Sequence, residues 1–443
     1  MKNRDYREIR TENGSIVKLI GRPYIKYDDY SYQYGLDDIS KKRKKPVFWM
    51  NADPDGVIFS EDSADNKNDW KGGFKTYTDD YILNIQAEHL GRFLERGFLN
   101  RINKKLLNDI KLGKVKIMFI NQCEGDHHDS ILNDGIYNLL IKELNQFNID
   151  ESNVIYSDNN FILETEFKKH YPNSKMNVLP HYWQLWRFLD CQTDLILPKD
   201  LLQTKNVIRD KHFLSYNRSA HPHRCAAGLE MFKYQLNKKG MVSFPSDIEG
   251  IEGNSFSIQE GIDMFHRESD YNKDSVDNFR KDLPWIADVD GIFNQNNQWD
   301  SNVYRDSFLN TYFSFVVGSV FDSYHNHEPY SVFMSEKIYK PLTNFHPFLY
   351  MSNSGTLEVL KELGFKTFHP FIDESYDKEP DNLKRFNMIM SELKRLCSMK
   401  ISELHNLYWQ LSDILIHNQN TYYEKAFPLS EQRIEDVLNI VME

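Results

Sequence analysis

The sequence has few cysteines and no long apolar run, and both absences narrow what the protein can be. Its four cysteines show no CxxC spacing and lie at Cys123, Cys191, Cys225 and Cys397. Scattered thiols favour a reducing compartment over a disulfide framework or a zinc site. No stretch approaches about 18 apolar residues, so we expect no membrane span. Residues 1–15 are polar and lack the apolar segment of a signal peptide, so we expect a soluble, cytoplasmic protein.

Basic residues are fewer than acidic ones, and the formal net charge is −11. A general nucleic-acid binder needs a basic face, so nucleic acid is a disfavoured partner, although a local basic groove would still permit it. Hydrophobic residues make up 40% of the chain, which is enough to bury a core. A length of 443 residues predicts two domains rather than one.

Short apolar runs punctuate the chain and predict buried strands. They lie at 46–50, 115–120, 153–157, 176–180, 212–216, 241–245, 313–321 and 347–351. Amphipathic stretches separate many of them, and this alternation is typical of parallel sheets covered by helices on both faces. The fold class we expect is therefore α/β, with two Rossmann-like, doubly wound domains that face each other across a cleft.

A polar bridge at 200–211 separates two strand–helix series and suggests where the domains divide. We expect an N-terminal acceptor-side domain over 1–205 and a C-terminal nucleotide-binding domain over 206–380. The remainder, 381–443, has helical periodicity and no strand-like run, so it predicts a helical segment. In open α/β sheets ligands bind beyond the carboxyl ends of the strands, so candidate site residues should follow the apolar runs.

The stretch "SEKIYKPLTNFHPFLY" predicts a helix between two buried strands, with Ser335 as its N-cap. A helix N-terminus offers free N–H groups and a positive dipole end to an anion. Lys337 and Lys340 add positive charge there, and the Glu336 carboxylate can accept the hydroxyls of a ribose. The alternative interpretation is a surface ion pair between Glu336 and Lys340, four residues apart on one helix face.

A second candidate region follows the strand at 212–216. Pro222 is suited to the first turn of a helix, and Arg224 then lies in that turn. A guanidinium binds a diphosphate in bidentate fashion, so Arg224 is a candidate donor-binding residue and Arg218 a weaker one. A surface arginine that caps a loop is the alternative, and metal ligation by the nearby His221 and His223 is disfavoured.

Acidic and histidine side chains crowd the loop after the strand at 115–120. They are Glu124, Asp126, His127, His128 and Asp129. This loop is compatible with a general base, with a metal site, or with a polar loop that only caps the next helix. Asp288 and Asp290 form an Asp-x-Asp pair, but no clear strand precedes them, so a metal site there is disfavoured.

The stretch "SNSGTLEVLKELGFKTF" (352–368) predicts a loop, a helix that ends at Gly364 and a further strand that ends at Phe368. Together with the preceding Ser-Glu-Lys triplet, residues 304–377 resemble the donor-binding half of the α1,3-fucosyltransferase-like glycosyltransferases. Related glycosyltransferase-like proteins of phages and bacteria show the same pattern. Residues 212–232 share the likeness to a lesser degree.

The resemblance implies a two-domain fold of the GT-B type and an inverting, metal-independent glycosyltransferase without a cofactor. Such an enzyme moves fucose or a similar sugar from a GDP-linked nucleotide-sugar to a hydroxyl of a glycan or another acceptor. In this chain the implied base is Glu124, and the implied diphosphate ligands are Arg224 and Lys337. Glu336 is implied to hold the ribose.

The chain departs from the family in one place, since Gly318 stands where the family carries a Glu at the end of a strand. This departure leaves the sugar open. Two alternatives to this interpretation remain: a phage-type glycosyltransferase that modifies DNA bases, and a non-catalytic carbohydrate-binding or structural protein with the same fold.

Overall fold

The structure is a computed structural model, and it describes most of the chain between residues 97 and 426. The described residues are 6–10, 16–20, 47–51, 81–87, 97, 99, 104–113, 115–121, 136–180, 196–217, 219–245, 257–266, 271–287, 305–321, 331–426 and short stretches between 428 and 440.

The chain divides into two compact units, each built from several segments. Unit 1 comprises residues 1–24, 187–329 and 334–427, and unit 2 comprises residues 25–186, 330–333 and 428–443. The chain therefore crosses between the units more than once, and the four residues 330–333 belong to unit 2 although their neighbours on both sides belong to unit 1.

Unit 2 contains a parallel five-stranded sheet in the order β3-β4-β5-β6-β7. Its strands are β3 (Val47–Asn51), β4 (Tyr81–Ala87), β5 (Val115–Asn121), β6 (Val154–Asp158) and β7 (Asn177–Pro180). Its described helices are α1 (Lys104–Lys111), α2 (Ile136–Phe147) and α3 (Leu163–His170). Four of these strands confirm predicted runs. β4 was not predicted, because Asn84 and Gln86 interrupt its apolar residues.

Unit 1 contains a parallel four-stranded sheet in the order β11-β10-β8-β9. Its strands are β8 (Lys211–Tyr216), β9 (Gly240–Ser243), β10 (Thr311–Val317) and β11 (Phe348–Met351). All four confirm predicted runs. Two further strands, β1 (Tyr6–Arg10) and β2 (Ile16–Ile20), were not predicted and pair antiparallel as a separate ribbon.

Helices surround the unit 1 sheet and fill its C-terminal region. They are α4 (Pro198–Gln203), α5 (Pro222–Lys233), α6 (Ile258–Phe265), α7 (Lys273–Asp282), α8 (Arg305–Asn310), α9 (Glu336–Thr343), α10 (Thr356–Glu362), α11 (Asn382–Ser398), α12 (Ile401–Gln410) and α13 (Ser412–Thr421). After residue 381 the described elements are all helical, which agrees with the predicted C-terminal helical segment. The α/β class with parallel sheets is thus confirmed.

The strand order of unit 1 reverses beside β8, and this reversal positions the candidate site. From β8 the chain passes through α5 to β9 on one side, and it later returns to β10 on the other side of β8. Neighbouring crossovers therefore leave β8 and β10 in opposite directions and open a crevice at their carboxyl ends, where ligands of such sheets bind. In unit 2 the described strands instead follow one another in chain order.

Burial explains why the apolar runs of unit 1 become strands. All seven residues of β10 are buried, as expected for an inner strand with helices on both faces. β11 is also buried throughout, and its backbone edge is partly covered because the Tyr350 N–H donates to the Tyr376 hydroxyl at 3.2 Å.

Two expectations differ from the structure. One is the unit to which the polar bridge at 200–211 is assigned: residues 187–329 fall together in unit 1, whereas the predicted boundary between 205 and 206 stays a prediction. The bridge belongs to unit 1 because α4 packs there: Gln419 donates to the Ile196 carbonyl at 2.9 Å, and Arg305 pairs with Asp200 at 3.3 Å.

The strand predicted to end at Phe368 was wrong. Residues after Gly364 form no strand, because the backbone of Lys366 is paired with a side chain instead of a neighbouring strand. The Lys366 N–H donates to Asn418 Oδ1 at 2.8 Å, and Asn418 Nδ2 donates to the Lys366 carbonyl at 2.9 Å. Gly364 does follow the end of α10 with a left-handed φ of 93°, as predicted.

Candidate functional site

Two helices of unit 1 begin at the carboxyl ends of the strands that flank the reversal. α5 follows β8, and α9 follows β10. Each N-terminus presents N–H groups and a positive dipole end, so both favour an anion beyond the sheet. A donor-binding residue is therefore expected at one of these two helix starts.

Ser335 caps α9 as predicted, because its hydroxyl accepts a hydrogen bond from the Lys337 N–H at 3.4 Å. The Lys337 ammonium lies 3.1 Å from Glu336 Oε1 and 3.2 Å from Ser319 Oγ. Both charged side chains remain about a fifth exposed, at 21% for Glu336 and 23% for Lys337. Glu336 thus forms an ion pair with its neighbour, and Lys340 lies one turn further along the helix, partly exposed.

Arg224 lies in the first turn of α5, with Pro222 as the first helical residue and His221 as the N-cap. The side chain is only 2% exposed. Its Nε and Nη2 groups donate to the Gly318 carbonyl at 3.3 and 2.9 Å, and Nη1 donates to Ser219 Oγ at 2.7 Å. Arg224 therefore joins the start of α5 to the loop after β10.

Gly318 is the point at which this loop is held. Its carbonyl accepts from Arg224 and also lies 2.9 Å from His223 Nε2, while its N–H donates to the Met351 carbonyl at 2.8 Å. A Cβ at this position would lie 3.1 Å from the Met351 carbonyl oxygen and 3.2 Å from that of Val320. The close approach disfavours a side chain at this position and accounts for the glycine.

Arg385, which sequence reasoning missed, holds the other side of the same loop. This α11 residue is fully buried and donates to the Phe321 carbonyl, and its Nε donates to the Ser352 carbonyl at 3.2 Å. Its guanidinium also lies 4.4 Å from the centre of the Phe321 ring. Nothing in the amphipathic pattern of α11 distinguishes this arginine from an exposed one.

The pKa values of the two histidines at the start of α5, His221 and His223, indicate positive charge at this edge. Burial, then Arg224 and to a lesser degree Arg385 and Lys337, together lower the pKa of His223 to about 3, although its contact with the Gly318 carbonyl raises it. The pKa of His221 is also held well below its usual range, first by burial and then by Arg224. Both rings are therefore neutral at pH 7, and the positive charge comes from Arg224, Arg385 and Lys337.

Two buried polar atoms at this edge have no hydrogen-bond partner among the described residues. Asn217 follows β8 directly, and its Oδ1 is unpaired while its Nδ2 donates to Ser215 Oγ at 3.0 Å. Ser354 follows β11, and its Oγ is unpaired. Buried polar atoms are nearly always paired, so both are candidates for ligand contacts. Their position just after predicted strands was the available sequence signal.

Several predicted site residues lie outside the described residues. These are Glu124 and its neighbours Asp126, His127, His128 and Asp129, together with Arg218, Asp288 and Asp290. Over the described ranges, no group of three or more His, Cys, Asp or Glu side chains could hold a metal ion. None of the described helices combines the length and apolarity needed to cross a bilayer.

No protein-family model and no curated protein matches the chain. A solved structure described as "Trehalose-6-phosphate from E. coli bound with UDP-2-fluoro glucose" is similar over 80% of this chain and 74% of its own, with 11% sequence identity and a TM-score of 0.40. The activity of this chain therefore has to be argued from its own residues.

Proposed function

We propose that the protein is a glycosyltransferase of the GT-B type that binds a nucleotide-sugar at the carboxyl edge of the unit 1 sheet. The donor is GDP-linked, the sugar is fucose or a similar hexose, and the acceptor is a hydroxyl group, most simply that of a glycan. The acceptor binds through unit 2, and inversion at the anomeric carbon follows from direct attack by the acceptor.

The observation that carries this proposal is the convergence of two helix N-termini and their cations at the reversal of strand order. Arg224 from α5 and Lys337 from α9 contact adjacent residues, Gly318 and Ser319. Because the crevice at such a reversal is where α/β sheets bind ligands, a diphosphate there would meet both cations and both helix dipoles.

The charge balance also supports an anionic ligand. Arg224 and Arg385 both lie at this edge, where they donate to the carbonyls of Gly318 and Phe321. After burial, the nearby Arg224 is the next cause of the lowered pKa of His223, so Arg224 contributes a positive field at this edge. A diphosphate would offset this field, so we propose no metal ion for charge neutralisation.

The individual roles extend this proposal. Lys337 neutralises the charge that develops on the departing diphosphate, and Arg224 holds the loop and helix start that face it. Glu336 accepts the ribose hydroxyls, with Ser335, Lys340 and Arg218 as further donor-binding residues.

The bond changes require a base on the acceptor side. We propose that Glu124 removes the proton of the acceptor hydroxyl while the oxygen forms a bond to the anomeric carbon. The bond from that carbon to the diphosphate oxygen breaks at the same time, and the nucleoside diphosphate leaves with its electron pair.

An activity test with a donor panel decides between this function and its alternatives. Purified protein should release GDP from GDP-linked sugars in excess EDTA, and more slowly or not at all release UDP, CMP or dTDP from their sugars. Glu124→Gln keeps the shape of the side chain, so it should bind GDP but transfer about 10²–10⁴-fold more slowly.

Other outcomes would replace the proposal. Nucleotide binding without turnover of any donor would indicate a non-catalytic binding protein. Activity that disappears in EDTA and returns with manganese would show metal dependence, and Asp288 and Asp290 would become the first candidates. Transfer to a modified DNA base in place of a glycan would favour the phage-type alternative.

A further inference from the structure

Three consecutive buried polar side chains, Asp158, Asn159 and Asn160, lie at the end of β6 in unit 2, and only the middle one has no hydrogen-bond partner among the described residues. Asp158 accepts from the Tyr156 hydroxyl at 3.1 Å and from the Asn160 N–H at 3.2 Å. Asn160 Oδ1 accepts from the N–H groups of Ile162 at 3.2 Å and Val332 at 2.9 Å. Asn159 is 2% exposed, and neither its Oδ1 nor its Nδ2 has a partner among the described residues.

An asparagine that is unpaired at both ends is rare, since buried side-chain polar atoms are nearly always hydrogen-bonded. The surrounding chain shows that the fold can satisfy such groups. Asn153, at the other end of β6 and also buried, donates its Nδ2 to the Ile110 carbonyl at 3.2 Å. The unpaired amide of Asn159 is therefore a candidate ligand contact.

The position of Asn159 matches that of a ligand site in a parallel sheet. It stands directly beyond the carboxyl end of β6, where ligands of α/β sheets bind. Asp158 is the register partner of Asn121, the last residue of β5. Glu124, the proposed base, stands three residues after Asn121 in the sequence.

The amide restricts the chemistry of the ligand. A phosphate or carboxylate would accept from Nδ2 but would leave Oδ1 unpaired. A cation would bind Oδ1 and leave Nδ2 unpaired. A pair of neighbouring hydroxyl groups satisfies both atoms, because each hydroxyl both donates and accepts.

We propose that Asn159 binds two hydroxyl groups of the sugar acceptor. The assignment of the ligand as the acceptor rests on the proposed glycosyltransferase function, whereas binding of a neutral sugar at this position does not. Because the side chain is buried, hydrogen bonds formed there are shielded from water and are correspondingly strong.

The matched pair Asn159→Leu and Asn153→Leu separates a binding role from a structural one. Leucine has a similar size and removes the amide in both cases. Asn159→Leu should unfold at the same temperature as wild type or higher, because it removes unpaired polar atoms from the interior. Asn153→Leu should unfold at a lower temperature, because it leaves the Ile110 carbonyl without that donor.

Saccharide binding without any nucleotide tests the proposal. Saturation-transfer NMR with glucose, galactose, N-acetylglucosamine, fucose and lactose should show binding of at least one sugar to wild type. Asn159→Leu and a second variant, Asn159→Ser, should weaken that binding by about ten-fold or more. Asn153→Leu, studied below its unfolding temperature, should bind the sugar as wild type does.

The outcomes that overturn the proposal are distinct from those that overturn the proposed function. Equal sugar binding by wild type and both Asn159 variants, or binding of none of these sugars, would refute the assignment. Binding of adenosine in place of sugars would assign the amide to a nucleobase and would also refute it. A parallel titration with GDP, which concerns unit 1, reports on the donor site independently.

Discussion

Two neighbouring helices of unit 1, α9 and α10, begin at the same edge of one sheet, but different groups cap their N-termini. The start of α10 is occupied by the protein itself, because Asp377 accepts the Leu357 N–H at 3.0 Å and its backbone carbonyl accepts the Gly355 N–H at 2.7 Å. The start of α9 is capped by the neutral Ser335 hydroxyl and carries Lys337, which reaches Ser319.

The contrast shows that a helix N-terminus is not in itself an anion site. At α10 the fold supplies its own carboxylate, so a further anion would be repelled. At α9 the nearby charges are mainly positive, since Arg224 and Lys337 meet on the loop after β10. The same dipole can therefore stabilise the fold at one helix and remain available to a ligand at the other.

Removing Arg224, which holds the loop after β10 beside α9, should have the largest effect on stability. Arg224→Leu removes a buried guanidinium and its two hydrogen bonds to the Gly318 carbonyl, which keeps only the contact with His223, so we expect the free energy of unfolding to fall by on the order of 3 kcal/mol. Urea denaturation measures this. Arg280→Leu is the control. Arg280 is 38% exposed, and its ion pair with Asp277 is long, at 3.8 Å, and lies at the surface. Its loss should therefore cost at most about 0.5 kcal/mol. Equal effects would show that Arg224 does not hold the loop.

Neutralising the carboxylate at α10 should change the pH dependence of stability. Burial raises the pKa of the Asp377 carboxyl to about 6, although the N–H groups of Leu357 and Glu358 lower it. The folded protein therefore binds this proton more tightly than the unfolded chain does. Stability from this group is greatest below about pH 4 and is lost as the pH rises towards 6, by up to about 3 kcal/mol.

Asp377→Asn keeps an acceptor for the Leu357 N–H and removes the charge, so this loss should disappear. Thermal unfolding of wild type and variant at pH 4, 5, 6 and 7 would reveal it. GDP binding should not change in the variant, because the carboxylate serves α10 only. Parallel pH profiles for the two proteins would contradict the assignment.

Removing a helix N-cap should have a smaller effect on stability. Comparing two such caps separates their effect on stability from their effect on GDP binding. Ser335→Ala should cost about 1 kcal/mol of stability through the lost N-cap, and it should also weaken GDP binding. Ser257→Ala removes the N-cap of α6, whose hydroxyl accepts the Glu260 N–H at 3.2 Å. It should cost a similar amount of stability and leave GDP binding unchanged. If both variants bind GDP as wild type does, the start of α9 does not contact the nucleotide.

Many strands and helix starts could be predicted, because they depend on local signals in the sequence. Continuous apolar runs identified eight strands, and Ser335 and Pro222 marked helix starts that the structure confirms. β4 was missed because polar residues interrupt it, and the strand predicted to end at Phe368 was wrong because Asn418, about fifty residues later in the chain, pairs with the Lys366 backbone.

The site was less predictable, since its support comes from distant parts of the chain. Arg385 is an ordinary helical arginine in the sequence, and only the fold brings it to the carbonyls of Phe321 and Ser352. Asp377 lies twenty residues after Leu357, so no local pattern shows that its carboxylate caps α10. The unpaired amide of Asn159 depends on burial, which no local pattern reveals.

Isothermal titration of GDP into wild type, Lys337→Met and Lys361→Met tests the central claim most directly. Lys337 lies at the start of α9, and Lys361 is a comparable lysine on α10, 3.5 Å from Glu358. Wild type should bind GDP more tightly than UDP. Lys337→Met should bind GDP about ten-fold or more weakly, because it loses one charge-assisted phosphate contact worth about 1.5–3 kcal/mol. Lys361→Met should bind as wild type does. If wild type binds neither nucleotide, or if the two variants are affected equally, the start of α9 is not the donor site.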